Sequence, residues 1–240
     1  MEIQFTDRLQ TILERIASAA SRAGRNPESV RLVAVSKTHP PESVRELASA
    51  GQLVFGESRV QEAIVKIPLC PGRLQWHFIG HLQKNKIRKA LPLFSLLHGV
   101  DSLELAEEIN RIAAEEDQRV RILLEVNTSG ESSKYGFQPA QLLAQMEDLL
   151  ELPRLEILGL MTLAPITLKP EMARPFFVRL REVRDSLEEK LGIRLPELSM
   201  GMSGDFEEAV LEGATLVRVG TALFGERGGQ PFSADLIAGG

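Results

Sequence analysis

The segment LVAVSKTHP carries an apolar run onto a lysine, Lys37, just ahead of the Pro40-Pro41 turn. A lysine at the mouth of a sheet loses its proton more easily than one in water, because desolvation disfavours the charged form. A neutral amine is the nucleophile that Schiff-base chemistry requires. A solvated rim lysine would look the same by position alone. Later in the chain, LSMGMSGDFEEA sets Ser203 and Gly204 ahead of a helix expected near Asp205, and VRVGTALFG sets Gly220 and Thr221 ahead of another short helix. Glycine allows close backbone approach, hydroxyls donate hydrogen bonds, and helix N-termini supply free N–H groups with a favourable dipole. Both segments therefore suit an anion. Ordinary helix capping by Ser203 and Thr221 is the competing reading.

Arg218 stands between two valines in the same run. Strand alternation puts Leu216, Arg218 and Gly220 on one face and Val217 and Val219 on the other. A buried guanidinium needs an acceptor, either an acidic residue nearby or a ligand bound beside the Gly220 turn.

These groups can meet only if their strands are neighbours. Short apolar runs recur at Arg31–Ser36, Leu53–Phe55, Trp76–Ile79, Leu96–Val100, Arg121–Asn127, Leu155–Leu163, Glu197–Gly201 and Thr215–Gly220. Helical patterns lie between them, at Glu42–Ala50, Glu57–Ile67, Ser102–Ala114, Pro139–Leu150, Pro175–Leu191 and Asp205–Glu212. A further amphipathic helix opens the chain, with Phe5, Leu9, Ile12, Leu13, Ile16 and Ala20 on its buried face and Gly24 at its end. Continuously apolar strands alternating with helices predict a (β/α)8 TIM barrel, α/β in class. A doubly wound open sheet is the rival, but it usually has fewer strands. In a barrel, function gathers at the C-terminal ends of the strands, and the last two loops are the usual phosphate site.

Taken together, LVAVSKTHP, FGESRVQEA, WHFIGHLQKNK, VDSLELAEEI, GLMTLAP, SMGMSGD and VRVGTALFG resemble the YggS/PROSC family of homeostasis proteins, which bind pyridoxal 5′-phosphate (PLP). The match runs in order from about Arg31 to Gly225. It implies a PLP fold type III barrel like the N-terminal domain of alanine racemase, without that enzyme's added β-domain. One domain is expected over 1–240, with the N-terminal helix at about 5–23 and the barrel at about 30–226. By the same resemblance Lys37 is the Schiff-base lysine, Met202, Ser203, Gly204, Gly220 and Thr221 surround the phosphate, and Arg218 faces the pyridine nitrogen. The implied role is vitamin B6 homeostasis, holding PLP and buffering or delivering it, with apo-PLP enzymes as transient recipients. One departure stands out: Ser58-Arg59 occupies a place where many members carry Asn-Tyr, so only the Ser58 hydroxyl stands in for that asparagine's ring contact here.

The rival activity is amino-acid racemisation of the alanine-racemase type. It needs an acid–base group on each face of the cofactor. This chain is too short to include the added domain and has one tyrosine, Tyr135. An arginine at the pyridine nitrogen also disfavours ring protonation and weakens the ring as an electron sink. A third alternative is a cofactor-free barrel acting on a phosphorylated metabolite.

Several residues have plainer readings. Met161 either packs near the cofactor or fills the core. His77 and His81, four apart on a strand and its exit, lie ~13 Å apart and do not suit one metal ion; His81 could still line the mouth. Lys84, Lys86, Arg88 and Lys89 read as a solvated helix face. Lys134, in the loop after the fifth strand, is either a second lysine for PLP transfer or a surface residue. Cys70, alone, reads as a half-buried thiol and fits a reducing compartment. A net charge of −5 argues against a nucleic-acid binder. MEIQFTDRLQ has no apolar signal core, and no run is long enough to span a membrane. A cytoplasmic monomer is the expectation, with a weakly ordered tail at Gly228–Gly240.

Overall fold

In a computed structural model, which describes residues 5–131 and 134–225, the eight apolar runs close into a parallel barrel in sequence order. The strands are β1 (Arg31–Val35), β2 (Val54–Glu57), β3 (Gln75–Phe78), β4 (Leu96–Val100), β5 (Val120–Glu125), β6 (Leu155–Met161), β7 (Glu197–Ser199) and β8 (Leu216–Val219). After the leading helix α1 (Phe5–Arg22), the outer layer comprises α2 (Pro41–Ser49), α3 (Val60–Lys66), α4 (Ile87–Ala90), α5 (Leu103–Glu115), α6 (Pro139–Leu150), α7 (Arg174–Leu191), α8 (Phe206–Leu211) and α9 (Thr221–Phe224).

The period of two along each strand sorts residues into two cores. Val33, Leu96, Leu123, Met161 and Leu216 fill the barrel interior. Leu32, Ala34, Phe55, Trp76, Phe78, Val217 and Val219 face outward into the larger core shared with the helices. The alternation expected along β8 therefore holds, with Leu216 inside and the two valines outside.

Helix α1 buries Leu9, Ile12, Ile16, Ala19 and Ala20 and packs against α2, α8 and α9. Leu13, expected on that face, is 41% exposed. It lies one residue, about 100°, round the helix from Ile12. Arg15 anchors the helix to α8 through Glu207 at 2.8 Å and sits 4.7 Å over the Phe206 ring. A second difference concerns Glu57. The sequence pattern places it in a helix, but it ends β2, fully buried, and α3 begins only at Val60. The tail from Gly228 lies outside the described residues. Among the described residues no helix is long and apolar enough to cross a membrane.

Candidate functional site

Barrel closure brings the first and last strands together. β1 pairs with β8 in register Val33 to Arg218 and Ala34 to Val219, so the chain leaves both strands side by side. A Cβ added at Gly220 would lie 3.4 Å from both Cβ and the carbonyl oxygen of Val35, showing how closely the two exits approach. Lys37 sits half-buried in the turn just beyond Val35, and Thr38 after it takes a left-handed backbone, φ 69°.

Loop 201–205 joins the same corner. Gly201, at φ 89°, has no room for a side chain: a Cβ there would come within 2.5 Å of Ala209 Cβ. The loop is held by Asp205, whose Oδ1 accepts from the Met202 N–H at 2.6 Å. Ser203 Oγ accepts from the N–H groups of Gly220 at 3.2 Å and Ala222 at 3.3 Å. The capping reading is thus modified, because the hydroxyl serves the first turn of α9, a helix that follows a different strand. Having accepted twice, Ser203 still has its own O–H to donate. A Cβ added at Gly204 would meet nothing within 4 Å, so the space beside this donor is open. The Ser203 hydroxyl, oriented by those two N–H groups, sits with flanking glycines and the first turn of α9 around an open space, an arrangement that fits a phosphate.

Below this corner, Arg218 is buried inside the barrel. Its guanidinium donates to Ser199 Oγ at 2.5 Å and to the Thr162 carbonyl at 2.8 Å. Its partners in these bonds are neutral, and Glu125 and Asp205 act on it through their charge. Burial lowers its pKa to about 10, which leaves it cationic at neutral pH. Two of its five N–H donors are used in these bonds. The polar floor continues from Ser199 Oγ to His98 Nδ1 at 2.8 Å and from His98 Nε2 to His77 Nδ1 at 3.0 Å. With Ser199 accepting from Arg218, the assignment that uses every hydrogen has the Ser199 O–H donating to His98 Nδ1 and His98 Nε2–H donating to His77 Nδ1. Burial holds His77 at about 4 and His98 well below its ordinary value, so both are neutral near pH 7. Glu125, at the end of β5, is raised to about 7, first by burial and then by Asp101.

The other candidates lie around the mouth. Met202 lines a cavity of about 640 Å³ with Glu125, Asn127, Tyr135, Leu163 and Ile166, on the β5–β6 side. Lys37, Ser203, Arg218 and Thr221 are not in that lining, so the cavity flanks their corner. Met161 is buried in the barrel interior. His81 is apart from His77: its Nδ1 lies 2.8 Å from Asp101, and its ring stacks on Tyr135 at 4.1 Å. Lys134 pairs with Glu131 at 2.9 Å. Ser58 and Arg59 line a separate recess of about 210 Å³ with His81 and Lys86.

Sequence reasoning missed a buried cluster beside the Lys37 turn. Lys66, from α3, donates to Glu57 at 2.8 Å, Glu62 at 2.6 Å and the Ser36 carbonyl at 2.8 Å. The available signal was its spacing. Lys66 extends the buried Val60–Ala63 stripe by three residues, where a charge is out of place.

The chain matches the family of the alanine racemase N-terminal domain over residues 8–228. It is 47% identical over 222 residues to the pyridoxal phosphate homeostasis protein of Aquifex aeolicus, covering 92% of this chain and 97% of that protein. PipY from Synechococcus elongatus, solved with PLP bound, superposes with a TM-score of 0.79 at 44% identity, covering 89% of this chain and all of that one. An alanine racemase of Clostridium difficile shares the fold, at a TM-score of 0.72 and 17% identity, over 95% of this chain and 59% of the enzyme. This chain belongs to the alanine racemase N-terminal domain family and, within it, to the pyridoxal phosphate homeostasis proteins.

Proposed function

We propose that this chain binds PLP at the corner where loops 36–38, 201–205 and 220–222 meet, and that it buffers and delivers the cofactor rather than turning over a substrate. PLP supplies an aldehyde carbon that an amine can hold covalently and reversibly, and a pyridine ring that can withdraw electrons. Lys37 provides the amine. The Ser203 O–H would donate a hydrogen bond to the phosphate, with Thr221, Gly204 and Gly220 around it and Met202 alongside. The observation that carries this reading is the convergence of the Gly220 and Ala222 N–H groups on Ser203 Oγ at the exit of β8, the strand that pairs with β1, which leads into Lys37.

Arg218 argues for holding over catalysis. It stays cationic at neutral pH, and its remaining N–H donors are suited to an unprotonated pyridine nitrogen. A proton on that nitrogen would bring two positive charges together. Tyr135, a candidate for an opposing acid, is 62% exposed and stacked on His81. The relatives' name as homeostasis proteins points the same way. Apo-PLP enzymes are the proposed recipients, and a cytoplasmic monomer is the proposed form.

The test mixes PLP-loaded protein with an apo-transaminase. Recovery of transaminase activity, reduced strongly when Lys37→Ala protein is used, is expected. Lys37-dependent, multiple-turnover proton exchange at Cα of a common amino acid would overturn the carrier reading in favour of racemisation.

A further inference from the structure

The buried cluster beside Lys37 acts on two backbone atoms that matter for it. Lys66 holds the Ser36 carbonyl, which immediately precedes Lys37, at 2.8 Å. Glu62, paired with Lys66 at 2.6 Å, accepts from the Thr38 N–H, which immediately follows Lys37, also at 2.6 Å. The Ser36 side chain is fixed as well, donating to Glu57 at 2.7 Å. One buried ion-pair group therefore grips the peptide units on both sides of the lysine.

The turn requires such a grip. Thr38 sits at φ 69°, a region disfavoured for a β-branched residue. The His39 N–H also bonds the Ser36 carbonyl, at 3.0 Å, closing the turn over Lys37. The cluster is an expensive way to fill space. Lys66 and Glu57 are fully buried and Glu62 is 5% exposed, and apolar side chains of similar volume commonly serve stability as well or better. What the ions add is direction. The ammonium has three donors and meets three oxygens, so the positions of α3, β2 and the turn are set against one another.

We propose that Lys66 and Glu62 are positioning residues for Lys37, fixing the turn so that its amine projects over the phosphate corner at one angle. They do not touch the ligand; they act through the backbone of Ser36 and Thr38. The proposal rests on reading Lys37 as the lysine that holds PLP.

The probes are PLP and pyridoxine 5′-phosphate, which has an alcohol in place of the aldehyde and binds without a covalent bond. The ratio of their dissociation constants isolates the reach of Lys37 from the phosphate contacts. In Lys66→Met and Glu62→Leu proteins the advantage of PLP should fall by about ten- to a hundredfold. Affinity for pyridoxine 5′-phosphate should stay unchanged. Glu62→Gln keeps an oxygen for the Thr38 N–H and should retain the natural ratio. An unchanged ratio in folded Lys66→Met and Glu62→Leu proteins would overturn the proposal, as would equal loss for both ligands. If unaltered protein favours PLP no more than Lys37→Ala protein does, the reading of Lys37 itself fails and the proposal falls with it. Should the apolar variants not fold, hydrogen exchange at Thr38 in the unaltered protein decides: slow exchange is expected, and exchange at the rate of an unstructured peptide refutes the grip.

Discussion

Replacing Ser203 and Thr221 together by alanine should weaken PLP far more than pyridoxal, which lacks the phosphate. Ser203 Oγ accepts two N–H groups at 3.2 and 3.3 Å, long bonds that water can replace in a half-buried loop. Their loss should cost folding only ~0.5–1.5 kcal/mol each. The hydroxyl protons are different, because each would donate to a phosphate, and a hydrogen bond to a charged group is worth ~1.5–3 kcal/mol. Two such losses amount to about 3–6 kcal/mol, or on the order of a hundred- to ten-thousandfold in affinity. Titrations of PLP and pyridoxal, followed by the absorbance of the lysine adduct, measure both changes. Pyridoxal should lose little, since its aldehyde still meets Lys37. Equal losses for the two ligands would place the phosphate elsewhere and refute the argument from loops 201–205 and 220–222.

Glu125→Gln tests the buried carboxyl at the end of β5, whose pKa is raised from 4.5 to about 7. The unfolded chain releases this proton from about pH 4.5 and the folded chain near 7, so ionisation erodes stability as pH rises through that window. The variant should gain roughly 3 kcal/mol on the natural protein between pH 4.5 and 8, and denaturant melts showing a pH-independent difference would contradict it. His77, lowered to about 4, contributes with the opposite sign, losing stability as pH falls from 6.5, which is why the paired comparison is needed. If Arg218 faces the ring, the pyridine nitrogen of bound, labelled PLP should resonate as unprotonated at pH 7; a protonated shift would remove that contact.

The barrel was legible in the sequence because its signal is local. Each strand is an apolar run buried on both faces, and each is followed by a helical pattern. The corner formed by Lys37, Ser203 and Gly220 was legible by the same logic, since strand ends predict where loops must converge. What escaped was set by partners distant in sequence. Glu57 reads as the acidic first turn of a helix, and only Lys66 and the Ser36 hydroxyl make its burial at the end of β2 tolerable. His77 invited comparison with His81, yet its partner is His98 on the next strand, 3.0 Å away. Leu13 missed the buried face because a helix sweeps about 100° per residue, and one extra apolar neighbour falls outside the stripe. Arg218 was expected to meet either a carboxylate or a ligand, but a serine and a carbonyl hold two of its donors.

Attachment of PLP at Lys37 underlies both the carrier function and the positioning role of Lys66 and Glu62. Protein loaded with PLP, reduced with borohydride, digested and mapped by mass spectrometry should carry the pyridoxyl group on Lys37. Recovery of the label mainly on Lys134 or Lys84, with Lys37 unmodified, would contradict it.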